Sequence, residues 1–364
     1  MGRDGGQLTT LDFIALISST MLGVGLLVLP RTITIKVGTP DGWLVLVIDG
    51  LLFFAIIYIL LQILKKHNVK NYFDYTQEGF GKKLGKLVNL MMVVYFVGVA
   101  SFEVVAMSEM VRFFLLSETP VELIILTFIL TSAYLINSNL KIIAKVCVFF
   151  FPITIAVILL IYAFGLQIVD VKNIQPVLGQ GIMPVVKGMN TVMLSFFGIE
   201  LLLILKGFTS KDTKLVKGAF VGFAVPLFLY ILTYVLVVAG VTVQEVTTVT
   251  WPTISFVQSF EVKGIFIERL ESFLLITWIL QFFTTLTLYY FSAVTGLQSV
   301  FRNGYKPNIY ILIPIIFLLA NWPKDTIEIL KMSDMLGWIF PFVLLAIPII
   351  NFLLVAIKRR VKAR

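Results

Sequence analysis

The residues best placed to do chemistry are two glycine interruptions and a few carboxylates, all set in apolar runs. The stretch Thr20-Met21-Leu22-Gly23-Val24-Gly25-Leu26-Leu27-Val28-Leu29-Pro30 puts two glycines near the middle of a helix-length segment and a proline about one turn later. Glycine costs about 1 kcal/mol in a helix interior and proline about 3 kcal/mol, so unwinding is expected. The competing reading is that Gly23 and Gly25 only admit a neighbouring helix, as small residues do in membranes. A second interruption, Ser195-Phe196-Phe197-Gly198-Ile199-Glu200, sets a carboxylate two positions after a glycine. Freed N–H groups at a half-helix N-terminus attract a carboxylate, and freed carbonyls at the opposing end attract an ammonium or a cation. An amino acid carries both charges, so two facing gaps would hold a zwitterion without a buried ionic side chain.

Such gaps need an apolar solvent around them, and the composition implies one. Hydrophobic residues make up 59% of the 364 positions and charged residues 13%, against about 45–50% and about 25% in soluble domains. There is too little charge for a polar shell, which excludes a soluble globular protein. The formal charge of +9 sits in short connectors and forms no face for nucleic acid; it is the positive-inside signal of a membrane protein. One cysteine, Cys147, and one histidine, His67, cannot alone build a disulfide, a metal site or a catalytic triad. No paired catalytic carboxylates or nucleophile–base pair can be placed together, so nothing supports an enzyme. Met1 to Gln7 is too short and polar for a secretory signal, and the Met-Gly start lacks the Ser or Thr at position 6 of a myristoylation signal.

A helix needs about 20 apolar residues to cross the hydrocarbon core. By that measure ten spans lie near 11–36, 43–63, 86–115, 121–138, 141–165, 183–206, 215–240, 266–299, 308–322 and 335–357. With ten spans, 20 of the 29 basic residues, from Arg3 to Arg364, fall on the side shared by both termini, so both termini are expected in the cytoplasm. Gly198 follows Gly23 by 175 positions, close to half the chain. Residues 1–364 then form one transmembrane domain of two five-helix repeats, 9–166 and 183–357. Five is odd, so the second repeat enters the membrane inverted, the plan of many secondary transporters.

With the spans in place, the first break resembles the first helix of the amino acid–polyamine–organocation superfamily. Five further runs extend a more specific likeness along the chain: Thr39-Pro40-Asp41-Gly42-Trp43, Gly98-Val99-Ala100-Ser101-Phe102-Glu103, Trp251-Pro252-Thr253-Ile254-Ser255, Gln258-Ser259-Phe260-Glu261 and Phe266-Ile267-Glu268-Arg269-Leu270-Glu271-Ser272-Phe273. Together they resemble the B subunits of spore germinant receptors, nearest to those that respond to L-alanine in Bacillus spores. The resemblance implies an all-α, LeuT-like fold with broken helices 1 and 6 and a place in the spore inner membrane. It implies a complex with a larger membrane A subunit and a lipoprotein C subunit. It also implies a non-enzymatic sensing role in which a bound germinant triggers ion release, with no cofactor. The runner-up is an amino acid transporter of the same fold, coupled to protons or sodium.

The fold so implied brings the third and eighth spans against the two breaks. The expected ligand contacts are Met21, Leu22, Gly23, Val24 and Gly25 in the first break, Phe197 and Gly198 in the second, and Val99, Thr285 and Tyr289 beside them. Val99 and Glu103 are one helical turn apart, as are Thr285 and Tyr289. A pocket of Val99, Phe197, Thr285 and Tyr289 suits a small neutral side chain such as that of alanine; the plain alternative is helix packing. Intramembrane carboxylates usually face a cavity or a partner. Glu103 and Glu200 are candidate ion or proton sites; Glu103 also fits a solvated place near the outer interface, and Glu200 could instead cap a half-helix. Asp49 reads as a member of a polar network. Lys145 stands either where related transporters replace sodium with an ammonium or as a positive-inside anchor. Glu268, Arg269 and Glu271 open the eighth span as a surface network or a docking point for a partner. Residues 241–265 form either an outer lid or a simple connector.

Overall fold

The first helix starts where its cap dictates. Thr9 accepts from the Asp12 N–H, and the Asp12 carboxylate accepts in return from the Thr9 N–H at 2.7 Å, the reciprocal capping that satisfies two exposed donors. From there α1 (Thr10–Met21) runs to the first break and α2 (Gly25–Val37) leaves it at 51°. In this computed structural model the described residues are 7–23, 25–210, 212–260 and 270–362. Val24, Glu261, Phe266, Ile267, Glu268, Arg269 and the terminal Arg3 and Arg364, named above, lie outside them.

The chain continues through α3 (Gly42–Lys66), α4 (Tyr72–Phe80), α5 (Lys82–Phe114), α6 (Val121–Ile136) and α7 (Leu140–Gly165), which complete five spans. The second half opens with α8 (Met183–Gly188), a string of 3₁₀ turns, and α9 (Leu202–Leu205). Its two arms, Met183–Val192 and Leu194–Phe208, bend by 48° and form the sixth span. α10 (Leu215–Val241) is the seventh. After α11 (Val243–Thr248) and α12 (Pro252–Gln258) come α13 (Leu270–Phe301), α14 (Tyr305–Ala320), α15 (Thr326–Pro341) and α16 (Ile347–Lys362). Among the described residues, six helices are long and apolar enough to cross alone. The two bent pairs and the 16-residue helices α6 and α14 complete ten. Sixteen residues give about 24 Å, less than the roughly 30 Å of hydrocarbon, so α6 and α14 need local bilayer thinning or help from their flanks.

The architecture follows the expected plan, with local differences that have physical causes. The connector after the second span holds α4, started by Asn71, whose side chain accepts from the Phe73 N–H at 3.0 Å. The tenth span begins at Thr326, nine residues earlier than its hydropathy suggests, because Asp325 caps it by accepting from the Glu328 N–H at 2.8 Å. Between Pro341 and Pro348 the helix widens into a π-turn, Phe342–Ala346, and continues without ending. Residues 241–258 carry two short helices, with Pro252 at the first position of α12 where its missing N–H costs nothing.

α5 and α13 form the central pair; α1 lies between α10 and α7, and α13 also rests on α7. The N-terminal ends of the first and fifth spans are tied by an ion pair between Lys141 and Asp12. Lys83, in the first turn of α5, and Glu118, in the connector after it, are both exposed and lie at opposite ends of that span. Because Cys147 is buried, a membrane-impermeant thiol reagent should label Lys83→Cys only from the cytosolic side and Glu118→Cys only from the outer side. Labelling of both from one side would refute the ten-span arrangement.

Candidate functional site

The two breaks cross. A Cβ on Gly198 would lie 2.8 Å from Thr20 Cβ, and one on Gly25 would lie 2.8 Å from Ser195 Cα. Each glycine therefore sits where the other broken span leaves no room for a side chain. Gly198 has a second reason to be glycine: its φ is +106°, a conformation that L side chains rarely adopt. Phe197 before it is extended, with ψ 143°, and the span resumes as a helical turn at Ile199. The break is thus a sharp reversal between two residues within a longer 3₁₀ stretch.

Several groups freed by the breaks are met by side chains. Met21 ends α1, and its carbonyl accepts from Tyr230 Oη of α10, which also donates to the Ser195 carbonyl at 2.8 Å. One hydroxyl proton therefore serves acceptors from both breaks. The Gly23 carbonyl accepts from Trp278 Nε1 at 3.0 Å. Thr285 Oγ1 donates within 3.3 Å of the Ser19 and Thr20 carbonyls, besides that of Gln281 on its own helix. On the other side of the second break Glu200 is fully buried. Its Oε2 accepts from the Gly198 N–H at 3.0 Å, and its Oε1 accepts from Tyr95 Oη at 2.9 Å and Tyr289 Oη at 2.6 Å. A carboxylate at this point completes the exposed N-terminus of the half-helix, the end at which negative charge is favoured.

Glu103 stands over the first break: a Cβ on Gly23 would meet its Oε2 at 2.6 Å. It is buried, so the solvated outer-interface reading does not hold; it stands two turns along α5 from Tyr95, with the fully buried Val99 between them. Phe197 packs against Tyr95 and Phe340, with ring centroids 6.2 and 5.1 Å away. Leu22 is fully buried as the residue after α1. The structure therefore gathers Met21, Gly23, Gly25, Glu103, Phe197, Gly198, Glu200, Thr285 and Tyr289 around the crossing. Asp49 is buried on α3, with Oδ2 lacking a hydrogen-bond partner among the described residues. Lys145 is exposed on α7, a place for an anchor and not for a buried ammonium.

Sequence reasoning missed Tyr95, Tyr230 and Trp278. Two had a signal: Tyr95 is one turn before Val99 on the same face, and Trp278 is two turns before Thr285. Tyr230 had none, because only the packing of α10 on α1 brings it to the breaks. Beside the crossing, a cleft is lined by Val28, Arg31, Phe102, Leu194, Trp251 and Ile329, among others. Trp251, the residue before α12, thus stands in its wall.

A family model described as "Spore germination protein" matches residues 7–329. The chain is 44% identical over 358 residues to "Spore germination protein A2" of Bacillus subtilis (strain 168), covering 98% of each chain. It is 35% identical to "Spore germination protein YndE" and 31% identical to "Spore germination protein B2" of the same organism, covering 97% and 99% of this chain and 98% of each relative. Two solved structures share the fold at 13% identity and a TM-score of 0.66. One is MHP1, a nucleobase-cation-symport-1 family transporter in a closed conformation with bromovinylhydantoin bound, matched over 93% of this chain and 78% of that one. The other is MhsT in complex with L-phenylalanine, matched over 96% and 98%. The architecture is thus LeuT-like, an all-α fold with broken first and sixth spans.

Removing one donor from a buried acceptor leaves part of it unsatisfied, at about 1–3 kcal/mol. Tyr289→Phe should therefore lower the thermal stability of the detergent-solubilised protein by about that amount. Tyr134→Phe, on the exposed surface of α6, should not. Equal stability of the two variants would show that Glu200 does not depend on these hydroxyls.

Proposed function

Because the chain belongs to the spore germination permease family, we propose that it is the ligand-sensing membrane subunit of a germinant receptor, and that its ligand is L-alanine or a similarly small neutral amino acid. The observation that carries this reading is the convergence of the Met21 and Ser195 carbonyls, one from each broken span, on the single hydroxyl of Tyr230. An ammonium offers three donors and can satisfy both carbonyls at once, while the N-terminus of α2 at Gly25 favours a carboxylate. The crossing is therefore matched to a zwitterion. On this reading Val99, Phe197, Thr285 and Tyr289 wall a pocket suited to a small neutral side chain, with two hydroxyls to orient it. The same reading places the subunit in the spore inner membrane with cytoplasmic termini, beside a membrane A subunit and a lipoprotein C subunit, where binding triggers germination.

A second reading, a proton- or sodium-coupled amino acid transporter, is favoured by one feature: Glu200 is a fully buried carboxylate held at the edge of the second break. Uptake of labelled L-alanine into vesicles holding this chain alone would support it; binding without uptake supports the sensor.

The sensing reading predicts that spores lacking only this gene lose a germination response to L-alanine, restored by the intact gene. Gly25→Ala brings a methyl group against the Ser195 backbone and should reduce sensitivity about tenfold or more, equivalent to about 1.4 kcal/mol, with the protein still present in the membrane. A normal dose–response from Gly25→Ala spores would sink the proposal that the crossed breaks are the ligand site.

A further inference from the structure

The short helix α4 makes no contribution to the crossing itself, yet two separate chains of contacts lead to it from the second break. The first follows the half-helix that starts at Ile199 and ends at Lys206–Phe208. Lys206 Nζ donates to the Val69 carbonyl, two residues before the Asn71 cap of α4. Gly207 lies flush on the same connector, where a Cβ would meet the Lys70 carbonyl at 2.3 Å. A displacement of this half-helix therefore cannot leave the start of α4 where it is.

The second chain of contacts starts from the other flank of the break. The Phe197 ring packs on Phe340, which stands just before the π-turn Phe342–Ala346. Such turns hold an extra residue that can shift register along a helix, and they are frequent at functional sites. Beyond the turn, α16 grips α4 along its length. Asn351 Nδ2 donates to the Tyr75 carbonyl at 3.0 Å, and Lys358 Nζ donates to the Glu78 and Gly79 carbonyls at 3.1 and 2.7 Å. Arg359 pairs with the Glu78 carboxylate at 3.1 Å. The two chains of contacts thus close a ring through the candidate site, the last span and α4.

Around α4, Tyr75 Oη, His67 Nδ1, Asn89 Oδ1 and Asn351 Oδ1 are buried with no hydrogen bond from any described protein group. Buried polar groups are normally paired, so a shifted α4 has polar groups to engage. Two-state packing turns a small displacement into a discrete change.

We propose that α4 is the output element of the crossed-break site: a shift of the half-helix 199–208 re-seats α4, and with it the basic cytosolic end of α16. The ligand part of this inference rests on the function proposed above. A passive surface helix would instead be indifferent to changes at the break.

Physical coupling is shown by perturbing one site and reading the other. Asp74 is exposed on α4 and Cys147 is buried, so Asp74→Cys carries a bimane label alone on the full chain in detergent. Glu200→Gln should shift the emission of that label; Lys206→Met should abolish the shift, and Lys206→Arg should keep it. An equal shift with Lys206→Met, or none in the parent, overturns the proposal. In spores, Lys206→Met should cut L-alanine-triggered germination about tenfold, while L-alanine binding to the purified variant stays within about twofold. Loss of binding and germination together would mark Lys206 as merely structural and overturn it also. If the unaltered protein binds no L-alanine, the ligand assignment fails, and the label measurement, which uses no ligand, still decides the role of α4.

Discussion

A backbone group inside hydrocarbon must find its hydrogen bond within the protein, and the rest of this structure is arranged around two places where a helix declines to provide it. The freed carbonyls of Met21, Gly23 and Ser195 are met by Tyr230 and Trp278, and the freed Gly198 N–H by Glu200. These partners come from α10, α13 and the sixth span itself. The breaks are therefore stable only in the presence of those helices, and the helices are held in register by the breaks. Loss of one partner leaves an orphaned polar group in a medium that offers no substitute.

The same arrangement makes the crossing suitable for recognition. Hydrogen bonds supplied by side chains can be exchanged for those of a ligand, whereas the internal bonds of a continuous helix cannot. Tyr230 holds two carbonyls with one proton, so a donor of higher valence can displace it at little cost in pairing. Glu200 is a different case, because three donors saturate the two oxygens that face them. The first group of contacts is exchangeable and the second rigid, which fits a site that admits a small zwitterion against a fixed edge.

Mechanical consequences follow from where the breaks divide their spans. A broken span can move one half without dragging the other, and the second half of the sixth span is short, 199–208, with its end fastened to the connector before α4. The tenth span touches the other flank of the same break and carries a π-turn immediately beyond the contact. Both features place compliance next to the site and stiffness in the long helices α5 and α13 that frame it. That division is what a sensor requires, and a transporter of the same fold requires it as well.

Much of this was legible in the residues. Composition and run length determine the membrane solvent and the number of spans, because burying charge or unpaired backbone in lipid is costly enough to leave a mark at every position. The two breaks were legible too, since glycine and proline act through local backbone energetics. Thr285 and Tyr289 could be placed on one face by helical periodicity. The burial of Glu103 over Gly23, the double bond of Tyr230, the crossing of Gly25 with Ser195 and of Gly198 with Thr20, and the grip of α16 on α4 could not. Those contacts join residues up to 281 positions apart, and no local rule couples them. Sequence by itself determined where the chain must break and which solvent surrounds it; only the tertiary packing decided which side chains complete the breaks, because a hydrogen bond depends on position in space and not on distance along the chain.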